Sequence, residues 1–192
     1  MLTIQPKILE SKESRLCWLD LEMTGLNANV DTILEIAALV SDFNNNILFE
    51  GIVATVHHDM RDLPEMDPWV KGQHTKSGLM QAVAESTTNL SMVEDMVYSA
   101  LKPYCHSKNT YLAGNSVYQD KIFLKKYMPK VDALFNYRII DVSTIKVLVN
   151  NWYPADVHKD FAKSKEHRAL KDIHESMAEL AHFRKYFFMK VD

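Results

Sequence analysis

Cysteine is scarce in this chain, with Cys17 and Cys105 the two among 192 residues. Two such residues make neither a disulfide framework nor a metal-ligand spacing, so both read as small buried hydrophobes. No apolar run approaches the roughly 18 residues that a membrane span needs, and the first 14 residues carry no apolar stretch of the secretory kind. The expected compartment is therefore the cytoplasm, with no membrane partner. Positive charge is not in surplus either, since 22 Lys and Arg against 25 Asp and Glu leave a net charge of −3. A protein that grips long nucleic acid needs a basic side chain for each phosphate it holds, so any nucleic acid bound here is expected to be short. Repeats, low-complexity tracts and linkers are absent. The 47% hydrophobic content over 192 residues suits one domain spanning 1–192, with its core at about 15–188.

What is present begins with strands. The apolar run Leu16-Cys17-Trp18-Leu19 ends at Asp20-Leu21-Glu22, and residues 33–43 and 47–56 read as two further strands. Asn44-Asn45-Asn46 forms the turn between the last two, because asparagine tolerates left-handed backbone. The three predict an antiparallel meander. Residues 60–104 read as helical, with Pro68 suited to a first turn and Ser91-x-x-Glu94 to a capping box. A short strand at 110–113 then turns through Gly114-Asn115-Ser116 into a helix carrying Ile122, Phe123 and Tyr127. Residues 137–140 read as a strand, 143–152 as a helix closed ahead of Pro154, and 156–166 as a polar loop. Leu170, Ile173, Met177, Leu180 and Phe183 or Phe187 keep a helical period to the end. Strands followed by alternating strands and helices predict an α/β fold with a mixed sheet.

Side chains alternate along a strand, so Asp20 and Glu22 leave the same face. Two adjacent carboxylates repel and lose hydration unless positive charge lies between them, and hard oxygen ligands suit Mg²⁺ or Mn²⁺. Alone, this pair is an ordinary solvated strand end. Asp120 alone would complement a helix dipole. The third acidic position is His167-x-x-x-x-Asp172. Five residues on one helix point about 140° apart, so His167 is expected on a loop or first turn and Asp172 inside the last helix.

In order and spacing, Asp20-x-Glu22, Asp120 and His167-x4-Asp172 resemble the DEDD exonucleases of the histidine subtype, which have a ribonuclease-H-like fold. Longer stretches narrow the resemblance to the oligoribonuclease family. These are Leu19-Asp20-Leu21-Glu22-Met23-Thr24-Gly25-Leu26, Gly114-Asn115-Ser116, Tyr137-Arg138 with Asp141-Val142-Ser143-Thr144, and His167-Arg168-Ala169-Leu170 with Asp172-Ile173-x-Glu175-Ser176. Several long motifs in one order are far more specific than a single short pattern.

The resemblance implies a mixed β-sheet flanked by α-helices and a 3′-to-5′ exoribonuclease. Its expected substrates are short oligoribonucleotides, especially 5′-phosphorylated dinucleotides, cut to nucleoside 5′-monophosphates. Two divalent ions would clamp the attacking and leaving oxygens. Asp20 would bridge both ions, Glu22 and Asp172 would hold the ion on the attacking-water side, and Asp120 would support the second. His167, with an ordinary pKa near ~6.5, would take the water's proton. By the same resemblance Leu26 parts two bases, Trp69 stacks one, and His74 lies near the substrate. Ser116 and Ser143 would bond the terminal 5′-phosphate. Tyr137 and Arg138 would reach the neighbouring subunit's site, making the active unit a homodimer. Without the resemblance, Trp69 is a packing residue, Leu26 a turn hydrophobe and Arg138 a surface charge.

One departure from the family pattern is Lys171 beside Asp172, where an acid is common; it is expected to point away from the metals. Two rival readings are a DNA-trimming or proofreading exonuclease and a non-catalytic RNA-end binder on the same fold. A haloacid-type phosphatase would need Asp-x-Asp in place of Asp20-x-Glu22.

Overall fold

Three nine-residue strands, β1 (Arg15–Met23), β2 (Ile33–Ser41) and β3 (Ile47–Thr55), pair antiparallel as the meander expected from the sequence. The computed structural model describes residues 13–155, 158–161 and 169–189. Two shorter strands, β4 (Thr110–Gly114) and β5 (Ile139–Asp141), add parallel to β1 and complete a mixed sheet in the order β3-β2-β1-β4-β5. The described helices are α1 (Pro68–Lys76), α2 (Leu79–Glu85), α3 (Leu90–Leu101), α4 (Tyr118–Tyr127), α5 (Pro129–Asp132), α6 (Val142–Trp152) and α7 (Ala169–Phe187).

Strand alternation divides the core in two. Cys17, Leu19 and Leu21 of β1 face Val93, Val97 and Leu101 of α3 with Phe123 and Leu124 of α4. Leu16 and Trp18 point the other way, into Val142 and Val149 of α6 and Ala169, Ile173, Met177 and Phe183 of α7. Continuing that even-numbered face past the apolar stretch puts Asp20 and Glu22 toward the start of α7. Parallel pairing brings the C-terminal ends of β1, β4 and β5 to one edge, where open α/β sheets place their ligands.

Several expectations need correction. The helical stretch at 60–104 is three helices, beginning only at Pro68 and interrupted at Gly78, whose φ of +80° suits glycine. Ser91 does not cap α3. Asn89 does, accepting from Met92 N at 3.0 Å, while Glu94 is buried and accepts from Lys130 N at 2.7 Å. Tyr137 and Arg138 lie ahead of β5, because the Asn136 side chain takes the Arg138 N–H at 3.0 Å in a local turn. The second strand stops at Ser41, since the Asp42 carboxylate accepts from the backbone of Asn44 and Asn46 and starts the turn there. Most of the loop expected at 156–166 falls outside the described residues.

Candidate active site

Asp20 and Glu22 leave β1 toward α7, whose first turn carries Asp172. One carboxylate oxygen from each lies within 4.8 Å of the others, and all three side chains are half-buried. Asp172 is held there by its neighbour Ile173, which packs into the cluster around Trp18. Asp120, in the first turn of α4, is buried against the same strand and accepts from Leu21 N at 2.9 Å. The β1–β4 ladder ends at Trp18↔Ala113, so beyond it the Asp120 carboxylate supplies the acceptor that a longer β4 would have given. The three-membered group thus excludes Asp120, which stands beside it.

This much negative charge is costly. Burial, and then the carboxylates of Asp172, Glu35 and Asp120, push Glu22 up to about 7. Burial and the neighbouring Asp20 hold Asp120 well above the usual carboxylate range, against the opposing effect of the Leu21 bond. Crowded, half-dry carboxylates of this kind are relieved by a hard cation, and the donor set of Asp20, Glu22 and Asp172 fits a divalent metal ion.

Other expected residues lie on the loop after β1 and on α1. Leu26 is 71% exposed and Trp69 65% exposed, so neither is a core residue. The Leu26 carbonyl accepts from Gln119, and Tyr127 Oη donates to the Asp31 carbonyl at 2.6 Å with the Ala28 carbonyl 3.0 Å away, bracing the loop after β1 against α4. Asp67 caps α1 by accepting from Trp69 N at 2.8 Å. On the same helix His74 is buried, with Nε2 bonded to the Met23 carbonyl at 2.9 Å and Nδ1 3.7 Å from Glu22 Oε2.

Ser116 and Ser143 meet at 3.2 Å, oxygen to oxygen, where β4 and β5 end. Asp141 joins them: one of its oxygens accepts from Ser116 N at 3.0 Å and Ser143 N at 2.9 Å, the second bond capping α6. Ser116 adopts φ +52°, and these contacts hold it there. Tyr137 and Arg138 are exposed and stacked on each other, 4.5 Å from guanidinium carbon to ring centre, at the opposite end of β5 from Ser143. His167 and Arg168 lie outside the described residues. Lys171 is half-buried beside Asp172.

Comparison with known proteins decides the family. Residues 17–180 match the exonuclease family model. The oligoribonuclease of Yersinia enterocolitica is 44% identical over 182 residues, covering 95% of this chain and 100% of that protein. That of Escherichia coli K12 is 44% identical over 179 residues, covering 93% of this chain and 98% of that one. This chain belongs to the oligoribonuclease family of exonucleases. Membership makes it a 3′-to-5′ exoribonuclease. Its fold is ribonuclease-H-like. The zinc-bound Escherichia coli exonuclease I–ssDNA complex matches it with a TM-score of 0.67 at 14% identity, over 92% of this chain. The chain spans only 41% of that exonuclease I chain, so the likeness is one of fold. Among the described residues no helix is long and apolar enough to cross a membrane.

Within this oligoribonuclease-family site the sequence reading missed four residues. Glu35 stands opposite Glu22 in the β1–β2 register and adds its charge. Asn115 and Asp141 lie inside the quoted motifs but had no role. Glu179 is fully buried, accepting from Asn115 Nδ2 at 2.9 Å and Lys146 Nζ at 3.1 Å. Its one sequence signal is an acid on the buried stripe of α7, three residues from Ser176 and four from Phe183.

Proposed function

We propose that this exoribonuclease acts in the cytoplasm on very short RNA, above all 5′-phosphorylated dinucleotides, releasing nucleoside 5′-monophosphates. The observation that carries the reading is the convergence of Asp20, Glu22 and Asp172 within 4.8 Å, with buried Asp120 alongside. Two divalent ions, Mg²⁺ or Mn²⁺, supply Lewis-acid stabilisation of the attacking and leaving oxygens when bound. In this reading Asp20, Glu22 and Asp172 would hold the ions, Glu22 and Asp172 serving the activation of the attacking water, with Asp120 in support. His167 accepts the proton of the attacking water.

Substrate length is limited at both ends of the site. The exposed Leu26 parts the two bases, Trp69 offers a stacking face that tolerates any sequence, and His74 walls the pocket. The Ser116 and Ser143 hydroxyls receive the terminal 5′-phosphate. Tyr137 and Arg138 complete that pocket in a second subunit of a homodimer. Arg138 is exposed and three residues from Asp141, about 10 Å along an extended chain, and in this reading it serves a neighbour's serine pair. A closed 5′ end suits a chain whose net charge is −3, because few phosphates need to be neutralised.

The test is Mg²⁺-dependent cleavage of a 5′-labelled diribonucleotide beside a 20-mer RNA. The dinucleotide is expected to be cut much faster, with activity abolished by EDTA. His167→Ala is expected to lower it roughly a hundredfold or more, the usual scale for a general base. Faster cutting of the 20-mer would discard the 5′-phosphate pocket. Undiminished turnover by Asp20→Asn would discard the two-metal assignment.

A further inference from the structure

A fully buried carboxylate lies directly beneath the serine pair, and the chemistry described so far leaves it unused. Glu179 offers only acceptors. One of its oxygens takes Asn115 Nδ2 at 2.9 Å, and the other takes Lys146 Nζ at 3.1 Å, which supplies the countercharge. An amide facing a carboxylate must present its NH₂ end, because its oxygen would be repelled. That orientation leaves the second Nδ2 hydrogen directed at Ser143 Oγ, 3.4 Å away. Ser116 Oγ donates to the same Ser143 oxygen at 3.2 Å. A hydroxyl has two acceptor lone pairs and one proton. With two donors aimed at its oxygen, Ser143 keeps its proton to give, and the half-buried Ser143 and exposed Ser116 are open to solvent on that side.

We infer that Glu179, through Asn115, is a positioning residue that fixes the Ser143 hydroxyl as a donor and thereby sets the enzyme's preference for a 5′-terminal phosphate. A phosphate oxygen accepts and does not donate at full charge, so a cradle polarised this way selects it over a neutral 5′-hydroxyl. Lys146 belongs to the same device. It is one turn along α6 from Ser143, and its ammonium pairs with the Glu179 oxygen that Asn115 leaves. Asp141 fixes where the two serine backbones sit, and Glu179 fixes which way the hydroxyl polarity runs. The inference rests on the serine pair being the 5′-phosphate site.

The test compares KM for a 5′-phosphorylated dinucleotide with KM for the same dinucleotide bearing a 5′-hydroxyl. It uses the parent chain, Glu179→Gln and Lys146→Gln. Glutamine at 179 keeps shape and can still accept, but no longer forces the Asn115 amide to one orientation. Its ratio of 5′-hydroxyl to 5′-phosphate KM is expected to fall about tenfold, and that of Lys146→Gln about threefold in the same direction. Lys146 is partly exposed, so its variant reports even where the buried substitution fails to fold. Equal changes in KM for both substrates, or an unaltered ratio in both variants, would overturn the role of Glu179. No 5′-phosphate preference in the parent would instead remove the serine pair as the phosphate site, and the inference with it.

Discussion

His74 bonds the Met23 carbonyl through Nε2 at 2.9 Å while its Nδ1 stands 3.7 Å from Glu22 Oε2. A carbonyl only accepts, so Nε2 carries the proton and Nδ1 is the nitrogen turned to the carboxylate. One ring therefore ties α1 to the end of β1 and walls in an acid of the proposed metal site. His74→Gln can keep a donor for Met23 but removes the ring from Glu22. Groups that support ligating carboxylates typically matter 10- to 100-fold, so the Mg²⁺ concentration for half-maximal cleavage is expected to rise roughly tenfold. A Mg²⁺ titration beside a urea melt checks this. An unchanged midpoint would confine His74 to docking α1.

The parts of this site that are legible in the sequence are those set by local periodicity. Strand alternation puts Asp20 and Glu22 on one face and the apolar stripe marks α7 as a helix, whereas the family motif is what joined Asp172 to the pair, and the three do converge. What the sequence hides is decided by partners far along the chain. Ser91-x-x-Glu94 has the letters of a capping box, yet Glu94 is drawn to Lys130 N, 36 residues on, and Asn89 takes the cap. Glu179 looks like a misplaced charge on an apolar stripe until Asn115, 64 residues away, comes to meet it. Tyr137-Arg138 fits a strand by composition, but the Asn136 side chain captures the backbone donor first.

Glu22 gives the metal-free protein a signature in pH. Its carboxyl titrates near 4.5 when unfolded and is pushed up to about 7 in the fold, by burial and then by Asp172, Glu35 and Asp120. Between those values the folded state holds a proton that the unfolded state has lost. The stability it contributes is therefore fully present below about 4.5 and is lost as pH rises through about 7. The full difference is on the order of 3 kcal/mol. In EDTA, Glu22→Gln is expected to melt above the parent at pH 8 and to flatten the decline from pH 5 to pH 8, although inactive. Mg²⁺ should raise the parent's Tm more at pH 8 than at pH 5. A Glu22→Gln chain that melts lower at both pH values would show that the carboxylate is not penalised by its surroundings.

Asp120 combines two jobs that substitution can separate. Its charge lies against Asp20, and its Oδ1 accepts the Leu21 N–H at 2.9 Å in the core. Asparagine can still accept that bond, whereas alanine leaves a buried donor unpaired at a cost of about 1–3 kcal/mol. Asp120→Asn and Asp120→Ala are both expected to lose roughly a hundredfold or more in turnover, the scale of a lost metal support. Only the alanine variant should lose stability. Burial holds the Asp120 carboxyl well above its ordinary range, so relief from its charge grows as pH rises. Urea midpoints at pH 8 decide the point, and equal destabilisation by both variants would overturn it.

The wedge role proposed for the exposed Leu26 needs a stiff loop, and the loop's hydrogen bonds centre on Asp31. One Asp31 oxygen accepts the Thr24 hydroxyl at 2.9 Å and the other accepts Asn27 N at 2.9 Å, closing the loop on itself. Thr24 Oγ1 in turn accepts Thr32 N at 3.1 Å. The loop packs so tightly that a Cβ on Gly25 would sit 2.6 Å from the Asp31 carboxylate. Asp31→Ala removes both bonds and is expected to cost about 2 kcal/mol in stability, two lost acceptors in a buried turn. With its support gone, Leu26 would lose the fixed position that the proposed wedge role requires, so KM for a dinucleotide should rise several-fold. The effect on kcat should be smaller, since the carboxylates on β1 and α7 are untouched. Gly25→Ala is expected to push the same way by crowding Asp31. Leu26→Ala should raise KM with little loss of stability, because the side chain is exposed. If Asp31→Ala lowers stability yet leaves KM unaltered, the brace serves the fold alone and Leu26 does not act as the wedge.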